Sequence, residues 1–311
     1  MNSRLPDPAS FLSGDAGDVT GPWRRAKRTA GELAYNAVDT LAGTRRRAAR
    51  LARTTRAPLD ILVIGVYRPG SLFADALHPL HSDRHDVRIA LGSTGEADPR
   101  MREQTVAERL TGGKFENLNR VLEGAAAPAA PAAAPTARPD WVLVVDDDVR
   151  LPRAFVDRFV AVCEVFGLDL AQPAQTLRSH SAWKVTRRRP ASLARETRFV
   201  EIGPVTAFSR RAAAELLPFP ELRYGWGLDL HWAAIASRRG WRLGVVDALP
   251  VRHESGLVAA TYPREDAESE AARFLADRPY LPSARAGEVI AVHRTARGRD
   301  GRRAVVAGRR G

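Results

Sequence analysis

Three consecutive aspartates, Asp146, Asp147 and Asp148, close the apolar run "WVLVV". Like charges set side by side repel one another, so the run calls for a compensating partner. A divalent cation supplies it simply: Mg²⁺ or Mn²⁺ held by one or two carboxylates shares its other positions with water and phosphate oxygens. Such a cation would neutralise a diphosphate leaving group. The plainer alternative is a solvated strand end, or a cap on the helix that follows. A calcium loop is excluded, because its glycine and distant glutamate are absent.

The surrounding pattern places these acids. "DILVIGVYRPG" is a short apolar run followed by turn residues, as a buried parallel strand reads, and "HDVRIALGSTGE" repeats the pattern after a helical segment. "TVAERLTGGKFENLNRVLEG" predicts a helical region interrupted by glycine. After the aspartates, Phe155, Phe159, Val160, Val162 and Phe166 recur at helical spacing. "LDLAQPA" predicts a strand, "RFVEIGPVTAFSRRAAAELLPF" a strand and a helix, "LDLHWAAIASRRG" a helix ending at Gly240, and "WRLGVVDALPVRH" a last strand. Alternating strands and helices imply an α/β domain with a mainly parallel, Rossmann-type sheet covered on both faces. Open parallel sheets bind ligands at the carboxyl ends of their strands, where the aspartates stand.

A chain of 311 residues with 44% hydrophobic content can bury a substantial core. The formal charge of +12 is concentrated at the ends: residues 1–57 hold 11 Lys+Arg against 5 Asp+Glu, and residues 294–311 hold 7 against 1. The body between them balances. The expected organisation is therefore a basic, partly disordered or helical arm over 1–57, a folded domain over 58–293 and a basic disordered tail over 294–311. An Ala/Pro-rich insertion covers 124–139. Trp23 to Arg56 predicts an Arg-rich helix that lies on an anionic membrane, packs on a partner, or stays a solvated arm. Cys163 is the only cysteine, which excludes an internal disulfide and reads as a buried, inert thiol. With no membrane-length apolar run and no signal-peptide pattern, the expected location is cytoplasmic, or peripheral at the inner membrane surface.

The run into "DDD" resembles the Asp-x-Asp motif of glycosyltransferases with the GT-A fold, and further landmarks follow in order. "GKFENLN", from Gly113 to Asn119, is similar to a segment that precedes the motif in many of them, and "YGWGLDLHWA" is similar to their acceptor-side segment. "VVDALPVRH" ends at His253, where that fold often supplies another metal ligand. "AQPA", "RFVEIGP" and "GWGLD" also resemble pieces of a little-characterised group of plant and bacterial GT-A-like proteins. The resemblance covers roughly residues 58–260 and neither tail.

It implies Asp146 near the ribose and among the metal ligands, Asp148 on the metal, Asp147 beside the donor, and His253 as a metal ligand that suits Mn²⁺ better than Mg²⁺. Tyr67, Arg68, Lys114 and Asn117 would face the nucleotide-sugar donor. Asp229 is the expected base for an inverting transfer, since a carboxylate must take the acceptor proton; Glu201 is the second acid, facing the acceptor or rivalling Asp229 as base. As a plain alternative, Asp229 is a first-turn charge satisfying the helix dipole. Trp226 is either an acceptor platform or a core residue. "KVTRRRP", with Arg187 to Arg189, reads as a solvated charge run or as a loop closing on diphosphate. The acceptor stays open among glycan, lipid and small molecule. The rivals are a metal-dependent nucleotidyltransferase and a non-catalytic protein binding polyanions through basic arms. Nucleic acid is not an expected partner of the enzyme, and a glycosidase would need no metal cluster.

Overall fold

The computed structural model describes residues 5–13, 21–126, 138–254 and 262–296. Most of the Ala/Pro insertion and most of the basic C-terminal tail lie outside the described residues, as do two stretches of the first twenty.

In chain order the elements are α1 (Pro22–Leu41), α2 (Thr44–Thr54), β1 (Asp60–Tyr67), α3 (Phe73–Leu80), β2 (Asp86–Ser93), β3 (Thr105–Ala107) and α4 (Lys114–Ala126). Then come β4 (Trp141–Val145), β5 (Val149–Arg150), α5 (Phe155–Phe166), β6 (Leu170–Gln175), β7 (Ala194–Thr197), β8 (Val205–Ser209) and α6 (Arg210–Leu216). The last are α7 (Leu228–Arg239), β9 (Leu243–His253), α8 (Arg264–Leu275) and β10 (Val289–His293). The expected α/β architecture is present, and the strands expected from the sequence form at β1, β2, β4, β6, β8 and β9.

The sheet runs β10-β7-β9-β6-β8-β4-β1-β2-β3. Pairing is parallel at β4-β1-β2-β3 and at β6-β9, and antiparallel where β8 joins these two halves. Period-two alternation divides the core. Ile61, Val63, Leu143 and Val145 face α2, α3 and α5, whereas Leu62, Ile64, Val142 and Val144 face α4, α6, α7 and α8. Gly167 and Gly240, both left-handed, end α5 and α7 as C-caps. Cys163 is fully buried on α5, and burial pushes its thiol well up, so it is inert.

Two local readings change. The helical region expected over "TVAERLTGGKFENLNRVLEG" is a short strand, β3, followed by a helix that begins only at Lys114. The Gly112–Gly113 pair precedes the helix, and Gly113 admits a close neighbour: a side chain there would collide with the Arg223 backbone, 2.3 Å away. The N-terminal segment expected as an arm is part of the folded body. Ala48, Leu51 and Ala52 of α2 are buried in the same core as α5, and Phe11 enters the core on the other face.

"KVTRRRP" is likewise not a solvated run. The side chain of Arg188 is fully buried, and it pairs with Glu32 and Asp39 of α1 while donating to Asn36 at 2.9 Å. Asp39 also accepts the Ala191 N–H at 2.8 Å. Removing one partner of such a buried cluster strands the other charges. Arg188→Ala should therefore cost about 3–5 kcal/mol. Leu51→Ala should cost about 2–5 kcal/mol through its cavity. Exposed Arg45→Ala should stay within about 0.5 kcal/mol. Denaturant unfolding checks all three, and an unpacked arm would show no change in the first two.

Candidate active site

The backbone of the acid run is tied to three separate segments. Asp146 N–H donates to the Pro204 carbonyl (2.9 Å), Leu72 N–H to the Asp147 carbonyl (3.1 Å), and Glu254 N–H to the Asp148 carbonyl (2.9 Å). The two-residue strand β5 then pairs antiparallel with the end of β9, Val149 opposite His253. That register delivers His253, over a hundred residues away in sequence, to the side of Asp148.

Each aspartate has its own partner. Asp146 Oδ1 is 2.6 Å from Lys114 Nζ, which also donates to the Ile202 carbonyl at 3.2 Å. Asp147 is gripped by Arg68 through Nε (2.9 Å), Nη2 (3.0 Å) and the backbone N–H (3.0 Å). Asp148 Oδ1 is 3.1 Å from His253 Nε2. Burial raises the Asp146 carboxyl above its ordinary range, Lys114 opposing. Burial pulls the His253 imidazole down, but Asp148, Asp146 and Glu201 together carry it above its usual value.

Ligand atoms of Asp146, Asp148 and His253 all lie within 4.8 Å of one another. Two carboxylates and an imidazole, brought together by the fold with their charges already opposed, form a donor set that fits a divalent cation. Gly203 leaves room for the Asp146 carboxylate: a Cβ there would sit 2.6 Å from Asp146 Oδ2.

Beside this triad stand two further acids. Glu201 accepts from Gln175 Nε2 at 2.9 Å, and its own N–H donates to Gln172 Oε1. Burial pushes its carboxyl up to about 7, against His253 and hydrogen bonds that lower it. Asp229, in the first turn of α7 and nearly fully buried, accepts the Leu230 N–H at 2.9 Å. Burial, then the charge of Glu201, pushes it up to about 8. Its place in the first turn of α7 is that of a helix-start charge, but burial opposes ionisation there.

Trp226 is half-buried; its Nε1 donates to Tyr262 Oη (3.1 Å), and the Arg264 guanidinium lies 5.7 Å from its ring centroid. Tyr224 and Tyr262 pack with centroids 4.7 Å apart.

Two residues expected at the donor face inward instead. Tyr67 is fully buried, its ring near Phe73 and its hydroxyl between Thr105 Oγ1 (2.8 Å) and the Asp98 N–H (3.1 Å). Asn117 is buried and donates to the Gly112 carbonyl (2.8 Å), holding the turn before α4. Both act on the scaffold. Sequence reasoning missed Gln172 and Gln175, though two amides in a strand otherwise buried throughout were a visible signal. It also missed Glu270, which accepts the N–H groups of Arg223, Tyr224 and Gly225 at 2.8–2.9 Å and so fixes the loop leading to Trp226 and Asp229. Nothing local marks that role.

No family model matches the chain, and no curated protein matches it. Solved structures do. A mannosyltransferase from Pyrobaculum calidifontis in complex with GDP-Man and Mn²⁺ is similar at 16% identity and TM-score 0.42, over 71% of this chain and 68% of that one. S. aureus TarS 1–349 in complex with UDP-GlcNAc is similar at 14% identity and TM-score 0.45, over 67% and 63%. GalNAc-T7 with UDP, GalNAc and Mn²⁺ is similar at 10% identity and TM-score 0.38, over 66% and 45%. The chain thus spans less than two thirds of the last two. The chemistry below rests on this chain's own residues.

Since a cation must displace the proton held on His253, Mn²⁺ binding should strengthen as pH rises through the raised titration range of that imidazole. Asp148→Asn or His253→Gln should weaken binding by at least about tenfold with the melting temperature nearly kept. Calorimetric titration with Mn²⁺ at several pH values reads both effects. A second expectation concerns the metal-free protein. The ordinary values for Glu201 and Asp229 are 4.5 and 3.8, so between those and about 7 and 8 the folded state binds more protons than the unfolded one. Stability from this pair therefore falls as pH rises across that window. The Glu201→Gln, Asp229→Asn double variant should lose this slope in unfolding measurements.

Proposed function

We propose that this chain is a metal-dependent glycosyltransferase, moving a sugar from a nucleoside-diphosphate donor to an acceptor hydroxyl with inversion at the anomeric carbon. One observation carries the reading: a three-residue donor set for a cation, Asp146, Asp148 and His253, stands beside two carboxyls raised toward neutral pH, Glu201 and Asp229. An inverting transfer from a diphosphate to a hydroxyl uses both halves, one for the leaving group and one for the acceptor proton.

A divalent cation, Mn²⁺ or Mg²⁺, would be held by Asp146, Asp148 and His253 and would supply charge neutralisation for the departing diphosphate. Lys114, within reach of Asp146, adds a movable positive charge on the same side. Arg68 and Asp147, locked together, present a fixed guanidinium and carboxylate beside the first strand end, where the nucleoside would be read. Trp226, with Tyr224 and Tyr262 around it, offers aromatic faces to an acceptor sugar or similar ring.

Asp229 is the base of this scheme. Its ionised carboxylate takes the acceptor proton as the acceptor oxygen bonds to the anomeric carbon and the bond to the diphosphate oxygen breaks. Only the ionised form can do so. Turnover should therefore rise as pH rises through the Asp229 titration, lowered from about 8 by whatever positive charge is bound nearby. Burial raises that value most, and Glu201 raises it further by adding negative charge alongside.

Screening nucleotide sugars by melting temperature with and without Mn²⁺ would identify the donor, and product analysis would distinguish sugar transfer from nucleotidyl transfer. With the donor in hand, Asp229→Asn should keep donor and Mn²⁺ binding but lower turnover by about 10² to 10⁴. Glu201→Gln should shift the rising limb of the pH profile to lower pH, because a neighbouring negative charge is gone. Normal turnover in Asp229→Asn, with an inactive Glu201→Gln that still binds donor, would exchange the two roles. If neither change slows transfer, the inverting scheme is wrong.

A further inference from the structure

Helix α1 is turned opposite to an ordinary surface helix, which sets its apolar stripe on the core and its charges in water. Here the charged side is docked. Arg28 donates to the carbonyls of Leu177 (3.3 Å) and Ser179 (3.5 Å), Glu32 accepts the Leu177 N–H (2.8 Å), and Glu32 and Asp39 pair with the buried Arg188. The apolar side points outward. Trp23, Leu33 and Leu41 are 80%, 65% and 89% exposed, and Val38 is exposed beside them. Alanines at 26, 30, 34 and 37 fill the same face at spacings of three and four, and all four are exposed. The stripe is about 30 Å long, at 1.5 Å per residue. Among the described residues nothing covers it.

Charge identifies the occupant. Both acids of α1 face inward, so its outward surface carries Lys27 and no carboxylate. The adjoining α2 contains no acid and exposes Arg45, Arg46, Arg50 and Arg53. An apolar stripe with an indole at one end and Lys27 on its own face, followed in the chain by a helix of exposed arginines, matches an interface whose interior is hydrocarbon and whose surface is anionic. A second copy of the chain would set the same cations against each other. Nucleic acid would use the arginines but leave the tryptophan and leucines in water.

We propose that the outward face of α1, with the arginines of α2, docks this protein on an anionic lipid bilayer. The inference goes beyond the sugar-transfer reading and does not depend on it. The docked helix is also rigidly placed. The turn it grips, Thr176 to Ser179, is bonded to the candidate metal ligand: Ser179 Oγ accepts the His253 N–H (3.1 Å) and donates to the Val251 carbonyl (3.3 Å). A bilayer on α1 would therefore hold the site at a fixed orientation to the lipid surface. No described helix is long and apolar enough to cross a membrane, so contact would be with one leaflet.

The test uses the full chain with phosphatidylcholine vesicles, with and without phosphatidylglycerol, read by co-sedimentation. Binding is expected with the anionic vesicles, and Leu33→Asp with Leu41→Asp should reduce partitioning by about tenfold or more. The circular dichroism and melting temperature of that variant should match the wild type, since both sites are exposed. Brominated acyl chains should quench fluorescence in the wild type and less in Trp23→Ser. Any of these results would overturn the proposal: wild-type protein that ignores anionic vesicles, vesicle binding unaffected by the two aspartates, or a dimer that those aspartates dissociate without any vesicle binding. The last would assign the face to a second copy. Tighter binding to duplex DNA than to vesicles, insensitive to the leucine changes, would overturn it in favour of the arginines alone.

Discussion

Five carboxyls converge where the central strands end, and the low dielectric there gives each one a choice between a partner and a proton. Unpaired buried charge costs several kcal/mol. Asp146 has Lys114, Asp147 has Arg68 and Asp148 has His253. Among the described residues Glu201 and Asp229 accept from amides and form no ion pair, and both rise toward neutral pH. Asp146 is raised by burial as well, but Lys114 opposes the rise.

Much of the surrounding structure serves to keep those partners in place. The β5-β9 pairing fixes His253 against Asp148. Glycines allow the close approaches: Gly225, left-handed, would overlap Phe115 at 1.9 Å if it carried a Cβ, and Gly203 would press on Asp146. Three backbone N–H groups on one carboxylate, that of Glu270, tie the loop before α7 to α8. Neither Gly225 nor Glu270 has an acid–base part in the scheme, yet the loop they shape leads directly into the helix that carries Asp229 toward Glu201.

The N-terminal helices follow the same electrostatic logic in a different place. Arg188 sits in the interior because Glu32 and Asp39 come in from α1 to meet it, so acids that would have balanced the basic segment are spent inside the fold. The outward surfaces of α1 and α2 are left cationic and apolar, with no exposed carboxylate on either helix.

Apolar runs, glycine stops and period-two alternation suffice to read β1, β2, β4, β6, β8, β9 and the helices α5 and α7, because each depends on local pattern and on one buried face. The three aspartates and their position at a strand end are equally local. Beyond that, contact between distant segments decides. Tyr67 looked like a donor residue from its place after β1, but strand alternation turns its ring into the core, where Thr105 and the Asp98 N–H satisfy its hydroxyl. Arg188 looked solvated because its two acids lie about 150 positions earlier in the chain. The stripe from Trp23 to Leu41 is legible as amphipathic, but a helical period shows only that one side differs from the other. Only the tertiary contacts show which side meets the protein: Glu32 and Asp39 turn in to the buried Arg188, because a buried guanidinium left without carboxylates would be costly.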